Sequence, residues 1–170
     1  MPRITEIDIE TAPQHVKDTV SEHLAKGHRI TSEKRTLLHN VPAFLALEES
    51  SYTLDAELQR LIGKRAADFY EYAISVQNDC LVCTAYFTNL LKKNGIDFDT
   101  FDFTEREKLL IEYGQTIAVN PKGVPDELFK RMKNEFSEEE LVVITTMGVL
   151  MIANNNFNDI LQVSPEAVTD

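Results

Sequence analysis

Apolar residues recur at three- and four-residue steps along most of the chain, which is the spacing of one face of an α-helix. The clearest case runs from about Leu54 to Gln77, a long helix or helix pair that Gly63 breaks or bends. Its apolar positions are Leu58, Leu61, Ile62, Ala66, Phe69, Tyr70, Ala73 and Ile74. No stretch alternates apolar and polar residues as a half-buried strand does, so we predict an all-α fold of about six to eight helices.

Helix starts are marked by side chains that accept hydrogen bonds from the first free backbone N–H groups. Three pairs have the spacing of a capping box: Thr11 with Gln14, Thr104 with Glu107, and Ser137 with Glu140. Ser32 is expected to cap a second, short helix. Asn78 and Asp79 are expected to cap a helix that opens at Cys80 and ends at Asn94-Gly95.

The last helix is predicted from Leu141 to about Leu161, and its first half is apolar on almost every side. A helix of that kind is buried, either at the centre of the bundle or against another subunit. Residues 1–50 have the pattern of a peripheral helical arm packed on the body, and residues 51–170 that of the compact unit. Together they form one domain, which suits a chain of 170 residues.

Charge and terminal sequence narrow the classes of partner. Seventeen basic residues against twenty-eight acidic ones give a net charge of -11, and such a field repels nucleic-acid phosphates and anionic lipid headgroups. The N-terminus has no apolar stretch of signal-peptide type, and the longest largely apolar run, Val142 to Ala153, is too short to span a bilayer. We therefore expect a cytoplasmic protein with no nucleic-acid or membrane partner.

The only two cysteines, Cys80 and Cys83, form a CxxC motif in the first turn of a predicted helix. A helix N-terminus favours the thiolate, which is the reactive form of cysteine. Helical neighbours at this spacing have Cβ atoms about 5–6 Å apart, whereas a disulfide requires about 3.5–4.5 Å. A bond between them therefore needs local adjustment and is of the labile, catalytic kind, which favours a redox dithiol.

Two other roles stay open on the residues alone. A zinc site needs two more ligands, and His23 and His28 would have to fold over the cysteines to supply them. Alternatively, both cysteines are buried apolar side chains in a non-enzymatic helical oligomer. The sequence indicates no cofactor and no separate metal site.

A redox dithiol needs groups that handle protons, and the preceding helix offers carboxylates. Asp68 and Glu71 are three residues apart and share a face with aromatic neighbours. Such surroundings favour the neutral carboxyl, which suits a general base that works near neutral pH. Tyr86, three residues after Cys83, is a further candidate proton or hydrogen-bond donor. An ordinary solvated helix face for the carboxylates and a core position for Tyr86 are the alternatives.

The order of these features resembles the AhpD-like alkylhydroperoxidase and carboxymuconolactone decarboxylase superfamily. The resemblance covers roughly Thr36 to Val163 and rests on the Asn-x-Cys-x-x-Cys motif, the helices around it and the Asn-rich end of the last helix, Asn154 to Asn158. Asp68 lies twelve residues before Cys80, where the family usually has Glu. The resemblance implies an AhpD-like helical bundle.

The resemblance also implies roles for the motif. Cys83 would meet a peroxide, Cys80 would resolve it by forming the disulfide, and Asp68 would take the place of the family's Glu. The family commonly has His at the fourth position after the second cysteine, but this chain has Phe87 there and all its histidines precede the motif. Activation of Cys83 would therefore need a water, Tyr86 or an acidic side chain.

The expected function is a thiol-disulfide oxidoreductase or peroxidase that acts on a small hydroperoxide or disulfide. The resemblance implies a thiol reductant protein, lipoylated or thioredoxin-like, and a homo-oligomer, either a trimer or a hexamer. A carboxymuconolactone decarboxylase-type enzyme is a further alternative, although that branch usually lacks this CxxC and also relies on a His.

Overall fold

The computed structural model describes residues 1–166, which form eight α-helices and no strand. The helices are α1 (Gln14–Ala25), α2 (Ser32–Leu37), α3 (Val41–Ile62), α4 (Lys64–Gln77), α5 (Leu81–Lys93), α6 (Glu105–Val119), α7 (Asp126–Glu135) and α8 (Glu138–Leu161). The all-α prediction is confirmed.

Helix α4 lies at the centre of the bundle and packs against α3, α5, α6 and α8. Its side chains Ala67, Tyr70 and Ile74 are fully buried in the main core. The break between α3 and α4 falls at Gly63, whose φ of 86° lies in the left-handed region that glycine adopts without strain. The predicted helix pair is therefore confirmed, and the turn at Gly63 allows α4 to pack against α3.

A second, smaller apolar cluster lies under the N-terminal helices. Its buried members are Ala12, Val16, Val20, Leu37, Leu38 and Phe44. Helix α3 runs unbroken across residue 50, the position at which the sequence pattern changes from arm to compact unit. The N-terminal helices are thus joined to the central bundle by a continuous helix.

Two of the three predicted capping boxes are present, at Thr104 with Glu107 and at Ser137 with Glu140. The third is wrong: Pro13 precedes α1 without a side-chain cap, because the Thr11 hydroxyl donates to the Asp8 carboxylate instead. The cap of α2 is also displaced by one residue. Thr31 accepts from the Lys34 N–H, and Ser32 lies inside the helix.

The four-residue spacing of Val16, Val20 and Leu24 predicts a buried stripe on α1, and this prediction is only partly correct. Val16 and Val20 are buried, but Leu24 is exposed and His23 is buried in its place. Four-residue steps drift around a helix with 3.6 residues per turn, so the third member of such a stripe rotates toward solvent. The residue seven positions after Val16 stays closer to the buried face.

Helix α8 is apolar along much of its length but not buried on every side. Ile144, Met147 and Met151 are buried, whereas Val142, Val149 and Ile160 are exposed. By length and composition alone this helix would be long and apolar enough to cross a membrane, a test that core helices of soluble proteins also pass. Here it packs against α3, α4 and α6.

Helix α8 approaches α4 closely at Gly148. A Cβ built there would lie 2.2 Å from the Tyr70 hydroxyl oxygen and 2.6 Å from Ile117 Cδ1. The same hydroxyl donates a 2.8 Å hydrogen bond to the Ile144 carbonyl. The absence of a side chain at position 148 therefore allows a buried tyrosine to reach the backbone of α8.

We predict that Gly148→Ala destabilises the protein by about 1–3 kcal/mol, because the new methyl group must displace Tyr70 or Ile117. An exposed glycine in a helix would show the opposite sign, since alanine is the better helix former. Urea unfolding of Gly148→Ala beside Val149→Ala, an exposed neighbour, measures the effect. Equal stability of Gly148→Ala and the wild type would show that α4 and α8 separate easily.

Candidate functional site

The CxxC motif lies where the α4–α5 turn enters α5. Asp79 has a φ of 58°, and α5 begins at Leu81 rather than at Cys80. The cap predicted at Asn78 or Asp79 is therefore wrong, because Cys80 is the N-cap residue and its sulfur accepts from the Cys83 N–H at 3.3 Å. The capping interaction itself brings the first cysteine over the second.

The two sulfurs lie 2.7 Å apart and both cysteines are free. Cys80 is fully buried, and Cys83 is 8% exposed. The hydrogen bond between the two thiols lowers the pKa of Cys80, whereas that same bond and burial raise the pKa of Cys83. Cys80 is therefore the more easily ionised of the two thiols.

Two residues that the sequence did not single out complete the surroundings of Cys83. The Asn158 side-chain amide of α8 donates to the Cys83 sulfur at 3.3 Å and to the Glu33 carboxylate of α2 at 3.0 Å. Asn158 is buried, while Glu33 is partly buried. The Asn-rich end of α8 was the one signal for Asn158, and no sequence pattern marked Glu33.

A second asparagine of α8 anchors the turn before the motif. The buried Asn155 amide donates to Asn78 Oδ1 at 3.0 Å, and the Asn78 amide donates to the Ala118 carbonyl at 3.1 Å. These two bonds tie the turn to α8 and to the end of α6. The position of the cysteines thus depends on α6 and α8 as well as on α4 and α5, which flank the turn.

The predicted carboxylates lie on α4 and differ in their contacts. Both Asp68 oxygens accept from Lys64 Nζ, at 2.9 and 2.6 Å, and burial raises the Asp68 pKa. Glu71 is buried, and within residues 1–166 its Oε1 has no hydrogen-bond partner. Burial, followed by the charges of Asp55 and Asp68, raises the Glu71 pKa well above its usual value.

Neither carboxylate, nor Tyr86, is hydrogen-bonded to the cysteines. In the described part of the chain, the hydrogen bonds to the two sulfurs come from the Cys83 N–H, the neighbouring thiol and Asn158. Tyr86 is half exposed, and burial followed by the charge of Glu71 raises its pKa. Phe87, at the position of the resembling family's histidine, is buried in the main core.

The histidines proposed for the zinc alternative lie elsewhere. His28 stacks on Tyr52 with ring centroids 3.6 Å apart, and His23 packs against Phe44 and approaches the Glu48 carboxylate at 3.5 Å. Between residues 1 and 166 no group of three or more His, Cys, Asp or Glu side chains is placed to hold a metal ion. The structure therefore provides no ligand set for that alternative.

Solved structures share this arrangement of helices. A structure of an alkylhydroperoxidase AhpD core, an uncharacterized peroxidase-related protein from Ralstonia eutropha JMP134, matches with a TM-score of 0.75 at 15% identity, over 97% of this chain and 92% of that one. An uncharacterized peroxidase-related protein from Silicibacter sp. TM1040 matches with a TM-score of 0.74 at 12% identity, over 96% of this chain and 92% of that one. The chain has an AhpD-like fold.

A protein from Agrobacterium tumefaciens, described as a putative antioxidant defence protein AhpD, also shares the AhpD-like fold. It matches with a TM-score of 0.63 at 20% identity, over 74% of this chain and 92% of that one. No protein-family model and no curated protein matches the sequence. The fold implied by the sequence resemblance is confirmed, and the activity has to be argued from the cysteine pair.

We predict that Glu71→Gln stabilises the protein at neutral pH. A carboxyl whose pKa is raised by folding contributes stability that is fully present below its unfolded pKa, near 4.5, and is lost as the pH rises through its folded value. Urea unfolding at a series of pH values should show that Glu71→Gln increases the free energy of unfolding, and that this increase becomes larger as the pH rises above about 4.5. Glu49→Gln, an exposed change on α3, serves as the control, and a gain independent of pH would contradict the burial of an ionisable group.

Proposed function

We propose that the protein is an AhpD-like thiol-disulfide oxidoreductase or peroxidase that cycles between a Cys80/Cys83 dithiol and a disulfide. The observation that carries the proposal is the 2.7 Å separation of two free sulfurs at the start of α5. Thiolates at such positions are reactive. The likeness to peroxidase-related structures supports this chemistry for the fold.

With a hydroperoxide as substrate, the reaction balances without a further cofactor. The Cys83 proton passes to the Cys80 thiolate, and the resulting Cys83 thiolate, as the more exposed sulfur, attacks the terminal oxygen. The O–O bond breaks, the leaving alkoxide takes a proton from the carboxyl of the relay and departs as an alcohol, and Cys83 becomes a sulfenic acid. Cys80 then attacks the Cys83 sulfur, water leaves, and the disulfide has given two electrons to the peroxide. A dithiol protein returns the pair to its reduced form by exchange.

The proton relay in this proposal is Glu71 rather than Asp68. Asp68 is engaged by Lys64 through both oxygens, whereas Glu71 Oε1 has no partner among the described residues. Burial raises the Glu71 pKa, which suits proton exchange near neutral pH. Asp68 then acts on Glu71 through its charge.

The setting of the reaction also belongs to the proposal. A cytoplasmic location would keep the dithiol reduced. The exposed apolar residues of α8, Val142, Val149 and Ile160, support a homo-oligomer such as a trimer or hexamer. The reductant is a protein dithiol, either a lipoylated carrier or a thioredoxin-like protein.

One observation favours a non-enzymatic helical oligomer with structural cysteines. Cys80 is fully buried, and buried cysteines pack as small apolar side chains. In that case the Cys80→Ser, Cys83→Ser double variant would keep the stability and oligomeric state of the wild type, and the wild-type thiols would persist under peroxide.

We predict that one equivalent of hydroperoxide removes both titratable thiols from the reduced protein, because the sulfurs are already in contact. Thiol counting after denaturation, with mass spectrometry for the loss of two hydrogens, measures this. Cys83→Ser should abolish turnover, and Cys80→Ser should stop at a sulfenic acid. Persistence of both thiols in folded protein would end the proposal.

We predict that Glu71→Gln slows peroxide consumption roughly a hundredfold, the usual contribution of a general base. Asp68→Asn should slow it by less than about tenfold, because its carboxylate acts only through Glu71. Steady-state rates of the two variants, with folding checked by circular dichroism, separate the assignments. A hundredfold loss of the rate in Asp68→Asn alone would show that Asp68 is the proton relay, as the sequence resemblance implied.

A further inference from the structure

A continuous line of hydrogen bonds joins Cys83 of α5 to Asn158 of α8 and to Glu33 of α2. We propose that Asn158 is the donor that stabilises the Cys83 thiolate, and that Glu33 is a positioning residue that orients the Asn158 amide. This inference rests on the proposed function, because it assigns the group that prepares Cys83 for reaction.

The geometry fixes the direction of the amide. Both bonds come from Asn158 Nδ2, which has two hydrogens, one for the Cys83 sulfur and one for Glu33 Oε2. In the reactive state, with a Cys83 thiolate and a Glu33 carboxylate, the reverse orientation would place the amide oxygen against two acceptors. Asn158 Oδ1 is buried and has no partner within residues 1–166, so it does not hold the amide in place. Glu33 is therefore the group that holds it.

The Asn158 amide gives Cys83 a polar partner, which the residues that follow the CxxC motif do not provide. At the position of the family's histidine, Phe87 is packed in the core and offers no hydrogen bond. The side-chain amide neither ionises nor accepts a proton on nitrogen at neutral pH, so Asn158 stabilises charge on the sulfur without acting as its base. The proposed base, Glu71 of α4, and the hydrogen-bond donor to the thiolate, Asn158 of α8, are thus separate groups.

The groups around Glu33 and Cys83 have opposing effects on the pKa values of these two side chains. Burial raises the Glu33 pKa, the Asn158 hydrogen bond lowers it, Glu48 of α3 raises it and Lys34 of α2 lowers it. The hydrogen bond with Cys80 and burial raise the Cys83 pKa most, and the Glu33 charge raises it further. The charges of Asp159 of α8 and of Glu33 also oppose ionisation of Cys80. Glu33 therefore orients a donor toward the thiolate and repels that thiolate at the same time.

The test isolates Cys83 in a Cys80→Ser background, in which serine is also a good helix cap. The ultraviolet absorbance of the thiolate, followed against pH, gives the ionisation midpoint of the remaining cysteine. Adding Asn158→Ala should raise the midpoint by about one pH unit, the usual effect of a lost hydrogen bond to a charged group. Asn156→Ala, an exposed change on the same helix, should leave it unmoved.

Glu33 is tested in the same background with two substitutions. Glu33→Gln keeps an acceptor for Asn158 and removes the charge, so the Cys83 midpoint should fall. Glu33→Ala removes both, and its midpoint should lie above that of Glu33→Gln because the Asn158 amide is no longer held. Identical midpoints for the two would overturn the positioning role.

An unchanged midpoint in folded Asn158→Ala would overturn the donor role. Should that variant fail to fold, Asn158→Leu, which has nearly the same shape but no donor, makes the same measurement. In a Cys83→Ser background, Asn158→Ala should leave the Cys80 midpoint unmoved, and a matching rise there would show a general effect of the substitution. Because the readout is ionisation, it holds or fails independently of whether the wild-type dithiol consumes peroxide.

Discussion

The hydrogen bond from the buried Asn155 amide to Asn78 Oδ1 fixes the turn on which the cysteine pair depends. Asn155 is fully buried, so breaking the bond would leave polar groups unpaired away from water, a loss larger than the net gain of an exposed bond. Asn78 in turn donates to the end of α6. The start of α5 is therefore held by α6 and α8, which fix the position of Cys80 as the helix cap.

The same face of α8 that contacts the central helix also supplies the polar groups of the site. Gly148, Asn155 and Asn158 are separated by seven and three residues, which places them on one side of the helix. At Gly148 the helix approaches Tyr70 of α4; about two turns later Asn155 contacts Asn78, and nearly three turns later Asn158 contacts Cys83. The packing of α8 against α4 at Gly148 thus also sets the position of the Asn158 amide beside the Cys83 sulfur. A shift of α8 along its axis would disturb the core packing and this hydrogen bond together.

Local rules predicted what depends on local sequence. The boxes at Thr104 and Ser137, the break at Gly63 and the pairing of Cys80 with Cys83 all follow from neighbours within a few positions. Glu33 could not be found in this way, because it belongs to a six-residue helix fifty positions before Cys83 and only tertiary packing brings it near. The cap at Cys80 was missed for another reason. Asparagine and aspartate are the usual N-cap residues, but Asp79 has a positive φ and belongs to the turn, so Cys80 is the N-cap residue and its sulfur accepts the hydrogen bond.

The placement of carboxylates argues for function over stability. In a chain of net charge -11, acidic side chains reach solvent easily, and Asp68 finds a cation in Lys64. Glu71 and Glu33 instead lie where burial raises their pKa, which opposes folding at neutral pH. Groups with such shifts gather at functional sites, and here one stands on the helix before the cysteines while the other holds the amide that reaches Cys83. An amide side chain at position 71 would give a more stable protein at neutral pH, so stability does not explain that carboxylate, and the proposed proton relay gives it a role.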